Sequence, residues 1–438
     1  MIKVLHFADA HIDIASHGRR DPVTGLPLRV LDFLKSLDTI IDTAINEKVD
    51  LVLFAGDAYK DRTPVPTFQR EWGKRIMRLS SAAIPTILLL GNHDISPASG
   101  RAHSLQEFET LEIPHVKVVQ KPTFLTPDDL EGLPVQIIAL PWVTRSAMVA
   151  ARGQSLTDLK EVNLELENIL AQLVNNWLGE CNPEIPTILT AHGSVMGAVF
   201  GGERSVMLGS DQVLSGRLVK DARIDYVALG HIHKAQNLNE GGYPPVIYPG
   251  SIEKVDFGEA KDDKFFVVAA VEKNNTHFEW RKLQGRKFID KTLNLAKKVE
   301  NRQNSSDDEN NVQAMPDPDV IQEIIRSDMP SQTTIQDAIV RVTLEYPREW
   351  EVLIDEPAIR QYAEPAFEFH LIRKPSLEAR IRIPGDQSIN SLSPLELLDI
   401  YWNTIKVEPN EIKVLDALAK EIISTTQPET TESEEDLF

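Results

Sequence analysis

Cysteine is nearly absent from this sequence, with one residue, Cys181, in a chain of 438. A single thiol cannot form an internal disulfide, and it excludes the multi-thiolate sites that bind zinc or iron–sulfur clusters. No stretch approaches the ~18 consecutive apolar residues of a membrane-spanning helix. Met1 leads straight into an apolar strand pattern, without the basic and apolar regions of a signal peptide. We therefore expect a cytoplasmic protein without a membrane segment.

Positive charge is also scarce: 46 Lys and Arg face 66 Asp and Glu, for a formal net charge of −20. This balance argues against a general polyanion binder, because phosphate backbones require clustered Lys and Arg. It does not exclude a local phosphate site in which divalent cations supply the positive charge. Part of the acidity is segregated, since six acidic residues and no basic one follow from Glu421 onward. We expect residues 425–438 to form a solvated, disordered acidic tail.

Polar side chains of the kind that bind metals follow five apolar stretches, each of strand length. These stretches are 2–8, 51–55, 87–90, 187–191 and 226–229, and five of the 11 histidines follow them closely. One such loop would be an ordinary polar turn, but five together indicate a common site, because ligands bind at the carboxyl ends of strands in open α/β sheets. The candidate residues are Asp9, His11, Asp57, Asn92, His93, Asp94, His192, His231 and His233.

This oxygen and nitrogen ligand set suits manganese, iron, zinc or cobalt, and the sequence does not choose among them. Seven of these nine side chains, taken as ligands, exceed the needs of one ion. Two ions roughly 3.5–4 Å apart that share one carboxylate would use them all, and such a pair suits in-line phosphoryl displacement. Asp57, alone after the tight turn at Gly56, suits the shared position.

The spacing of apolar residues organises the first part of the chain as an α/β domain that ends near 285. It predicts helices at 28–48, 65–83, 101–111 and 157–178, and short strands at 115–119 and 135–140. The first strand, helix and second strand form a βαβ unit, for which a parallel pair is expected. We expect 246–248 and 265–271 to close a second sheet, and 193–209 to be a plain surface excursion.

The second part of the chain begins at 286. A small α+β domain at 286–384 is predicted from strands at 339–344 and 367–372 and a helix at 356–362, interrupted by a disordered insert at 300–319. Two amphipathic helices, 394–404 and 411–424, predict a helical hairpin within 385–424. A terminal hairpin buries its apolar stripe poorly alone, so it docks either on its own chain or on a partner.

Five motifs together resemble the calcineurin-like metallophosphoesterase superfamily in order and spacing: Asp9-x-His11, Gly56-Asp57, Gly91-Asn92-His93-Asp94, His192 and Gly230-His231-x-His233. Within it, residues 248–259 (YPGSIEKVDFGE) are similar to the signature of SbcD-type nuclease subunits. The resemblance covers about 1–285 well. It implies an α/β fold, a two-sheet αββα sandwich, followed by a DNA-binding capping domain and a C-terminal helical hairpin.

The resemblance also implies roles for these residues. Two divalent ions, with manganese favoured, would be held by the following residues: Asp9, His11, Asp57 and His233 for one, and Asp57, Asn92, His192 and His231 for the other. His93 would stabilise the transition state or protonate the leaving oxygen. Asp94 would orient His93 or cap its turn, and we favour the cap.

One position departs from the superfamily pattern. Three residues after Asp57, where an Asp or His usually tunes the catalytic histidine, this chain has Lys60. Either Asp61 substitutes for it or Lys60 contacts phosphate directly. Arginines near the site loops are candidate DNA-backbone contacts, although solvated surface is the simpler interpretation of each: Arg19, Arg20, Arg62 and Arg101.

The implied function is a two-metal DNA nuclease subunit in repair and recombination. It would act as an exonuclease on double-stranded ends and an endonuclease on single strands and hairpins, with an SbcC-like coiled-coil ATPase in a heterotetramer and a homodimer through the phosphoesterase domain. One alternative is a phosphomonoesterase or cyclic-nucleotide phosphodiesterase, against which residues 286–424 argue. Another is a scaffold that tethers DNA ends without cutting, against which the complete ligand set argues.

Overall fold

The structure is a computed structural model that describes residues 1–12, 19–96, 101–143, 159–201, 213–303, 315–376, 393–404 and 409–426. The chain divides into two compact units. The first comprises Met1–Lys291, Pro330–Val342 and Arg360–His370, and the second comprises Thr292–Met329, Thr343–Ile359 and Leu371–Phe438. The domain boundaries expected from the sequence, at 285, 384 and 424, stay predictions.

Seventeen strands are assigned within the described residues: β1 Ile2–Phe7, β2 Leu51–Phe54, β3 Thr86–Leu89, β4 Val116–Val119, β5 Thr123–Leu125, β6 Gln136–Leu140, β7 Thr187–His192, β8 Ser194–Val195, β9 Val213–Leu214, β10 Tyr226–Gly230, β11 Gln236–Asn237, β12 Val246–Tyr248, β13 Lys264–Val271, β14 His277–Leu283, β15 Phe288–Asn294, β16 Ile339–Pro347 and β17 Glu368–Ser376.

The α-helices of the same described ranges are α1 Leu28–Asn46, α2 Pro66–Ser81, α3 Gln106–Thr110, α4 Leu159–Glu180, α5 Gly216–Val219, α6 Leu295–Gln303, α7 Pro318–Asp328, α8 Gln332–Ile335, α9 Glu356–Tyr362, α10 Pro394–Thr404 and α11 Pro409–Thr426. None of these helices is long and apolar enough to cross a membrane.

Two six-stranded sheets form the first unit, in the orders β14-β13-β1-β2-β3-β4 and β11-β12-β10-β7-β6-β5. Strands β1 to β4 run parallel, as do β6, β7, β10 and β12, so their carboxyl ends meet at one edge of each sheet. The strands are apolar on both faces because both faces are covered, as is usual for parallel sheets.

The buried side chains lie in three layers. Between the sheets, residues such as Val4 and Ile87 pack against Ile188 and Ala228. The outer face of the first sheet packs against α1 and α2, and the outer face of the second packs against α4. Alternate residues of a strand face opposite sides, which is why Leu5 belongs to the layer under α1 while Val4 belongs to the central one. The predicted αββα sandwich is confirmed.

Two sequence predictions for the first unit need correction. Residues 246–248 extend the second sheet as β12, but 265–271 fall in β13, which pairs antiparallel with β1 in the first sheet. An apolar run does not identify its partner strand. The helix expected at 101–111 covers only Gln106–Thr110, because Ser104 donates its backbone N–H to the Asp94 carbonyl and its hydroxyl to the Asp94 carboxylate.

The predicted surface excursion at 193–209 contains β8, which pairs with β9, and its residues 202–209 lie outside the described part. Of the insert expected at 300–319, residues 300–303 belong to α6 and 318–319 begin α7, whose N-cap is Asp317. Residues 304–314 lie outside the described part, as does most of the acidic tail, 427–438.

The predicted elements of the second part of the chain are confirmed. Residues 339–344 fall in β16 and residues 368–372 in β17 of a three-stranded sheet ordered β15-β16-β17, so the second strand begins one residue later than predicted, and 356–362 form α9. The two terminal helices are present as α10 and α11, and they lie against each other.

A buried histidine in the central layer predicts a pH dependence of stability. His6 is 0% exposed, with Nδ1 3.1 Å from the Tyr226 hydroxyl and Nε2 3.2 Å from the Leu229 carbonyl oxygen. Burial, only partly offset by the bond to Leu229, lowers the pKa of His6 to about 3. The unfolded chain therefore binds more protons below pH ~6.5, and the stability contributed by neutral His6 is lost as pH falls toward 3.

We expect His6→Gln, which does not titrate, to lose about 2 to 3 kcal/mol less unfolding free energy than the parent chain between pH 7 and 4.5. Urea unfolding of both proteins at the two pH values measures this difference. Equal losses in the two proteins would contradict the assignment of His6 as a neutral buried group.

Candidate metal centre

The site loops at the carboxyl ends of the strands bring the predicted ligands together. Two groups of side chains offer ligand atoms that lie within 4.8 Å of one another inside each group: Asp9, His11 and His233 in the first, which we call group A, and Asp57, His192 and His231 in the second, which we call group B. Asn92 joins group B, because its Oδ1 lies 3.0 Å from both His192 Nε2 and His231 Nδ1.

Asp57 lies between the two groups. Its Oδ2 is 3.4 Å from His192 Nε2 in group B and 3.8 Å from His11 Nε2 in group A. Its Oδ1 accepts a hydrogen bond from the backbone N–H of His93 at 2.8 Å, which fixes the carboxylate plane. One carboxylate can therefore serve both groups, as the sequence predicts.

The backbone at the ligand positions is strained. Four non-glycine residues of the site have left-handed φ angles: Asp9 (51°), His11 (41°), Asp57 (65°) and His231 (102°). Such conformations persist only where the surroundings enforce them, and they concentrate at functional sites. Here the loops hold one another: the Asp9 and His11 N–H groups donate to the Gly56 and Asp57 carbonyls at 3.0 and 3.1 Å.

Two glycines allow the close approach of the loops. A Cβ atom on Gly91 would lie 2.1 Å from Asp57 Oδ1, and one on Gly56 would lie 2.2 Å from His192 Nδ1. Any side chain at either position would displace a ligand. The glycines that precede Asp57 and Asn92 are thus a requirement of the site as well as of the turns.

Hydrogen bonds orient two of the imidazoles toward the centre. His192 Nδ1 lies 2.7 Å from the Ala55 carbonyl, and His233 Nδ1 lies 2.7 Å from Glu259 Oε1. Each Nδ1–H donates to its oxygen, so Nε2 is the ring nitrogen directed toward the other ligand atoms; metal-binding histidines are commonly held in this way. The Nε2 atoms of His233 and His11 converge to 2.9 Å.

Burial and mutual charge interactions shift the pKa values of the side chains in the cluster. Burial raises the pKa of Asp9, although nearby histidines oppose this. Burial would also raise the pKa of Asp57, but His192 outweighs it and holds that pKa well below its usual range. Burial would lower the pKa of His192, but Asp57 raises it to about 9. A cation at group B therefore competes with the proton on His192.

The donor set fits divalent cations. His11 Nδ1 is buried and has no hydrogen-bond partner among the described residues. Two carboxylates, an amide oxygen and four imidazoles lie at the bottom of one site, nearly all of them buried. Positive charge from cations is what stabilises buried carboxylates of this kind in the ionised form.

Sequence reasoning did not identify the support of His233. Glu259 is 1% exposed. Besides the bond from His233, it forms an ion pair with Lys264, whose Nζ lies 2.7 Å from Oε2. Lys264 also donates to the Ser251 hydroxyl at 2.7 Å. Burial opposes the charge on Glu259, but the bonds from His233 and Lys264 lower its pKa to about 2. The only sequence feature that pointed to Glu259 was its position within the 248–259 signature. No sequence feature pointed to Lys264.

We expect Glu259→Gln to weaken cation binding at group A about 10- to 100-fold, since partners behind a metal-binding histidine have effects of this size. Isothermal titration with manganese measures it. Because Gln would leave Lys264 without its counter-charge, a second variant, Glu259→Gln with Lys264→Met, separates loss of orientation from loss of stability. Asp263→Asn, which removes an exposed ion pair with Lys282, is the control. Unchanged manganese affinity in both variants would refute the role of Glu259.

Asp94 caps the turn rather than orienting His93. Its carboxylate accepts backbone N–H bonds from Gly91 (2.9 Å), Asp57 (2.8 Å) and Ala58 (3.1 Å), so it ties two site loops together. Burial and the neighbouring Asp57 raise the pKa of Asp94 to about 6. The cap interpretation made from the sequence is the one that these bonds support.

His93 is oriented by a backbone group. Its Nδ1 lies 2.5 Å from the Lys60 carbonyl oxygen, so Nδ1–H donates there and Nε2 is directed away. Asp61 does not substitute for the usual carboxylate, since its Oδ1 accepts from the Thr63 N–H at 3.1 Å. The Lys60 ammonium is exposed.

Four arginines are candidate DNA contacts from the sequence: Arg19, Arg20, Arg62 and Arg101. All four are exposed, and their DNA contacts stay predictions.

Comparison with known proteins decides the family. The model of the calcineurin-like phosphoesterase family matches residues 2–235, which contain every candidate ligand described above. The chain belongs to the calcineurin-like phosphoesterase family. The resemblance to metallophosphoesterases drawn from the five sequence motifs is confirmed.

Curated relatives of this phosphoesterase include two nuclease or repair proteins. The SbcD subunit of the nuclease SbcCD from Escherichia coli (strain K12) is 23% identical over 271 residues, which cover 60% of this chain and 64% of that protein. "DNA double-strand break repair protein Mre11" of Archaeoglobus fulgidus is 24% identical over 260 residues, or 59% and 52%. An uncharacterised metallophosphoesterase, YhaO of Bacillus subtilis, is 26% identical over 272 residues, or 60% and 56%. The chain thus spans half to two-thirds of the length of these relatives.

Proposed function

We propose that this phosphoesterase is a manganese-dependent DNA nuclease subunit that hydrolyses phosphodiesters at groups A and B. The observation that carries the proposal is the position of Asp57, whose Oδ2 lies within 3.8 Å of a histidine from each group. A carboxylate shared by two ligand groups would hold two cations close together, and a close pair of cations suits in-line phosphoryl transfer. The names of the SbcCD and Mre11 relatives support DNA as the substrate.

The side chains have distinct roles in this proposal. Asp9, His11 and His233 would hold one cation and Asn92, His192 and His231 the other, with Asp57 shared between them. When bound, the pair supplies positive charge to the phosphoryl oxygens and to the attacking water. His93, whose Nδ1–H is held by the Lys60 carbonyl, would donate the Nε2 proton of its imidazolium form to the leaving oxygen and return to the neutral imidazole. Asp94 holds the loops of Asp57 and Asn92 in register.

One assay separates this function from its alternatives. The purified chain, with manganese, is offered hairpin DNA, single-stranded DNA, bis-p-nitrophenyl phosphate and p-nitrophenyl phosphate side by side. Cleavage of DNA and of the diester, abolished by a chelator, is the expected result. Hydrolysis of the monoester alone would indicate a phosphomonoesterase. DNA binding without hydrolysis of any substrate would indicate a tethering scaffold.

We further propose that the hairpin of α10 and α11 docks on an SbcC-like coiled-coil ATPase, that residues 286–384 cap the nuclease domain, and that the phosphoesterase domain forms a homodimer. Support for the docking comes from large apolar side chains on the hairpin surface: Val414 is 68% exposed, Leu418 51% and Tyr401 46%. Val414 and Leu418 are one turn apart, so they lie on the same face of α11.

Deleting 386–438 is expected to abolish association with the ATPase while leaving manganese-dependent cleavage of single strands intact. Co-purification of the two proteins measures the association. Deletion of 427–438 alone is the control, and Val414→Asp with Leu418→Asp tests the apolar face without shortening the chain. Association that survives both the long deletion and the double substitution would show that the hairpin is not the docking element.

A further inference from the structure

One aromatic side chain lies at the metal centre without a role in the mechanism above. Trp142 follows the carboxyl end of β6, beside β7 and its His192. Its ring centroid lies 5.2 Å from that of His231, with the planes tilted by 38°, and 6.3 Å from that of His192, nearly edge-on. Its backbone N–H donates to the Leu90 carbonyl at 2.9 Å, which ties it to the strand that leads to Asn92.

Trp142 is not required to orient these imidazoles. His192 is fixed by the Ala55 carbonyl and Asn92, and His231 is held by Asn92 Oδ1 and by its own backbone N–H bonds to Asp9. Nor is the indole core filling of the ordinary kind. Trp72, which fills the layer beneath α2, is 0% exposed, whereas Trp142 is only half-buried although both of its histidine neighbours are buried.

A half-buried indole at the edge of a phosphodiester site suits a particular ligand chemistry. Aromatic side chains bind nucleobases by stacking, and this contribution depends little on base identity or on phosphate charge. The independence of stacking from phosphate charge is relevant because this chain is acidic. With a formal net charge of −20, it gains less from phosphate contacts than a basic nuclease would, so affinity that does not depend on cationic side chains matters more.

We propose that Trp142 stacks on the nucleobase next to the phosphate held at groups A and B, and that the site therefore selects a nucleotide whose base has one face uncovered at this position. This inference rests on the proposed nuclease function. The ring lies within one nucleotide's reach of the candidate ligands, so the stacked base belongs to the scissile phosphate or to its neighbour. Inside a duplex both faces of a base are covered by adjacent bases. Only a nucleotide at a duplex end, or one that is single-stranded, frayed or extruded, exposes a face to Trp142.

The test compares Trp142→Leu, which keeps apolar volume but loses the π face, with Trp142→Phe, which keeps a ring. Trp280→Leu, at an exposed tryptophan of β14, is the control. Substrates are a single-stranded oligonucleotide and a series in which one abasic nucleotide is moved along the chain. We expect Trp142→Leu to lower kcat/KM on the intact oligonucleotide roughly 5- to 100-fold, Trp142→Phe by less, and the control not at all.

An abasic nucleotide at one position should reproduce the loss in the parent protein and add nothing in Trp142→Leu, because the two changes remove the same contact. Manganese affinity should be the same in all four proteins. Losses that add together, an unchanged kcat/KM in Trp142→Leu, or a weakened manganese affinity in that variant would each overturn the stacking assignment. A parent protein that hydrolyses bis-p-nitrophenyl phosphate but no oligonucleotide would instead overturn the proposed nuclease function, and the stacking assignment with it.

Discussion

His93→Ala is expected to lower kcat for manganese-dependent DNA cleavage about 10²- to 10⁴-fold while leaving the manganese affinity unchanged. Losses of this size follow the removal of a general acid. The histidine lies beside the cluster without belonging to either group: its ring is 5.2 Å from that of His11, and its Nδ1 bonds to the Lys60 carbonyl. Its removal should therefore affect the chemical step and not the cations. Single-turnover cleavage and isothermal titration measure the two quantities separately.

His115→Ala provides the matched control, because His115 is paired with Glu131 at 2.7 Å on the surface. It should cleave DNA at the parental rate. If His93→Ala also cleaved at that rate, the histidine would have no part in the reaction. If it lost manganese as well as activity, His93 would have to be reassigned as a ligand.

Asp57→Asn is expected to abolish activity and to weaken cation binding at both groups together. The substitution is nearly isosteric, and the amide oxygen can still accept the His93 N–H that Oδ1 accepts now at 2.8 Å. The other amide atom is an NH₂ group, which cannot bind a cation where Oδ2 faces His192 and His11. We expect manganese titration to show both binding events weakened by at least about 100-fold. Losing a partner behind a ligand weakens binding by about 10- to 100-fold, and losing a direct ligand should weaken it more.

Asp61→Asn, on the same loop but exposed and engaged only with Thr63 in the described contacts, should bind two manganese ions as the parent does. Thermal unfolding of both variants confirms that the fold is retained. Loss of one binding event with the other intact in Asp57→Asn would mean that the carboxylate serves a single ion.

The sequence indicated which side chains form the candidate site because those side chains directly follow strands of parallel sheets. Apolar runs such as 51–55 and 187–191 read as buried strands, and polar residues that follow parallel strands meet at one sheet edge. Spacing along the chain is irrelevant to that argument. The argument covers only residues that follow strands of the same sheet. Asp9 follows β1 of the first sheet and His233 follows β10 of the second, so the stacking of the two sheets, which the strand pattern does not specify, is what brings these two residues together.

What the sequence could not supply is contacts that depend on side-chain direction or on partner choice. Lys60 looked like a lost carboxylate, yet its backbone carbonyl binds His93, and every residue type has that carbonyl. Lys264 lies on β13, and the apolar pattern of β13 gave no indication that this strand pairs with β1. The proximity of Lys264 to Glu259 could therefore not be predicted from the sequence. Trp142 was not singled out from the sequence at all.

Anomalous diffraction at the manganese edge, from crystals of the intact chain soaked in manganese, tests the central claim most directly. Two peaks are predicted, both within bonding distance of Asp57, one of them also bound by His11 and His233 and the other by His192 and His231. A single peak, or two peaks of which either is out of reach of Asp57, would contradict a jointly held cation pair and the phosphodiester chemistry assigned to it.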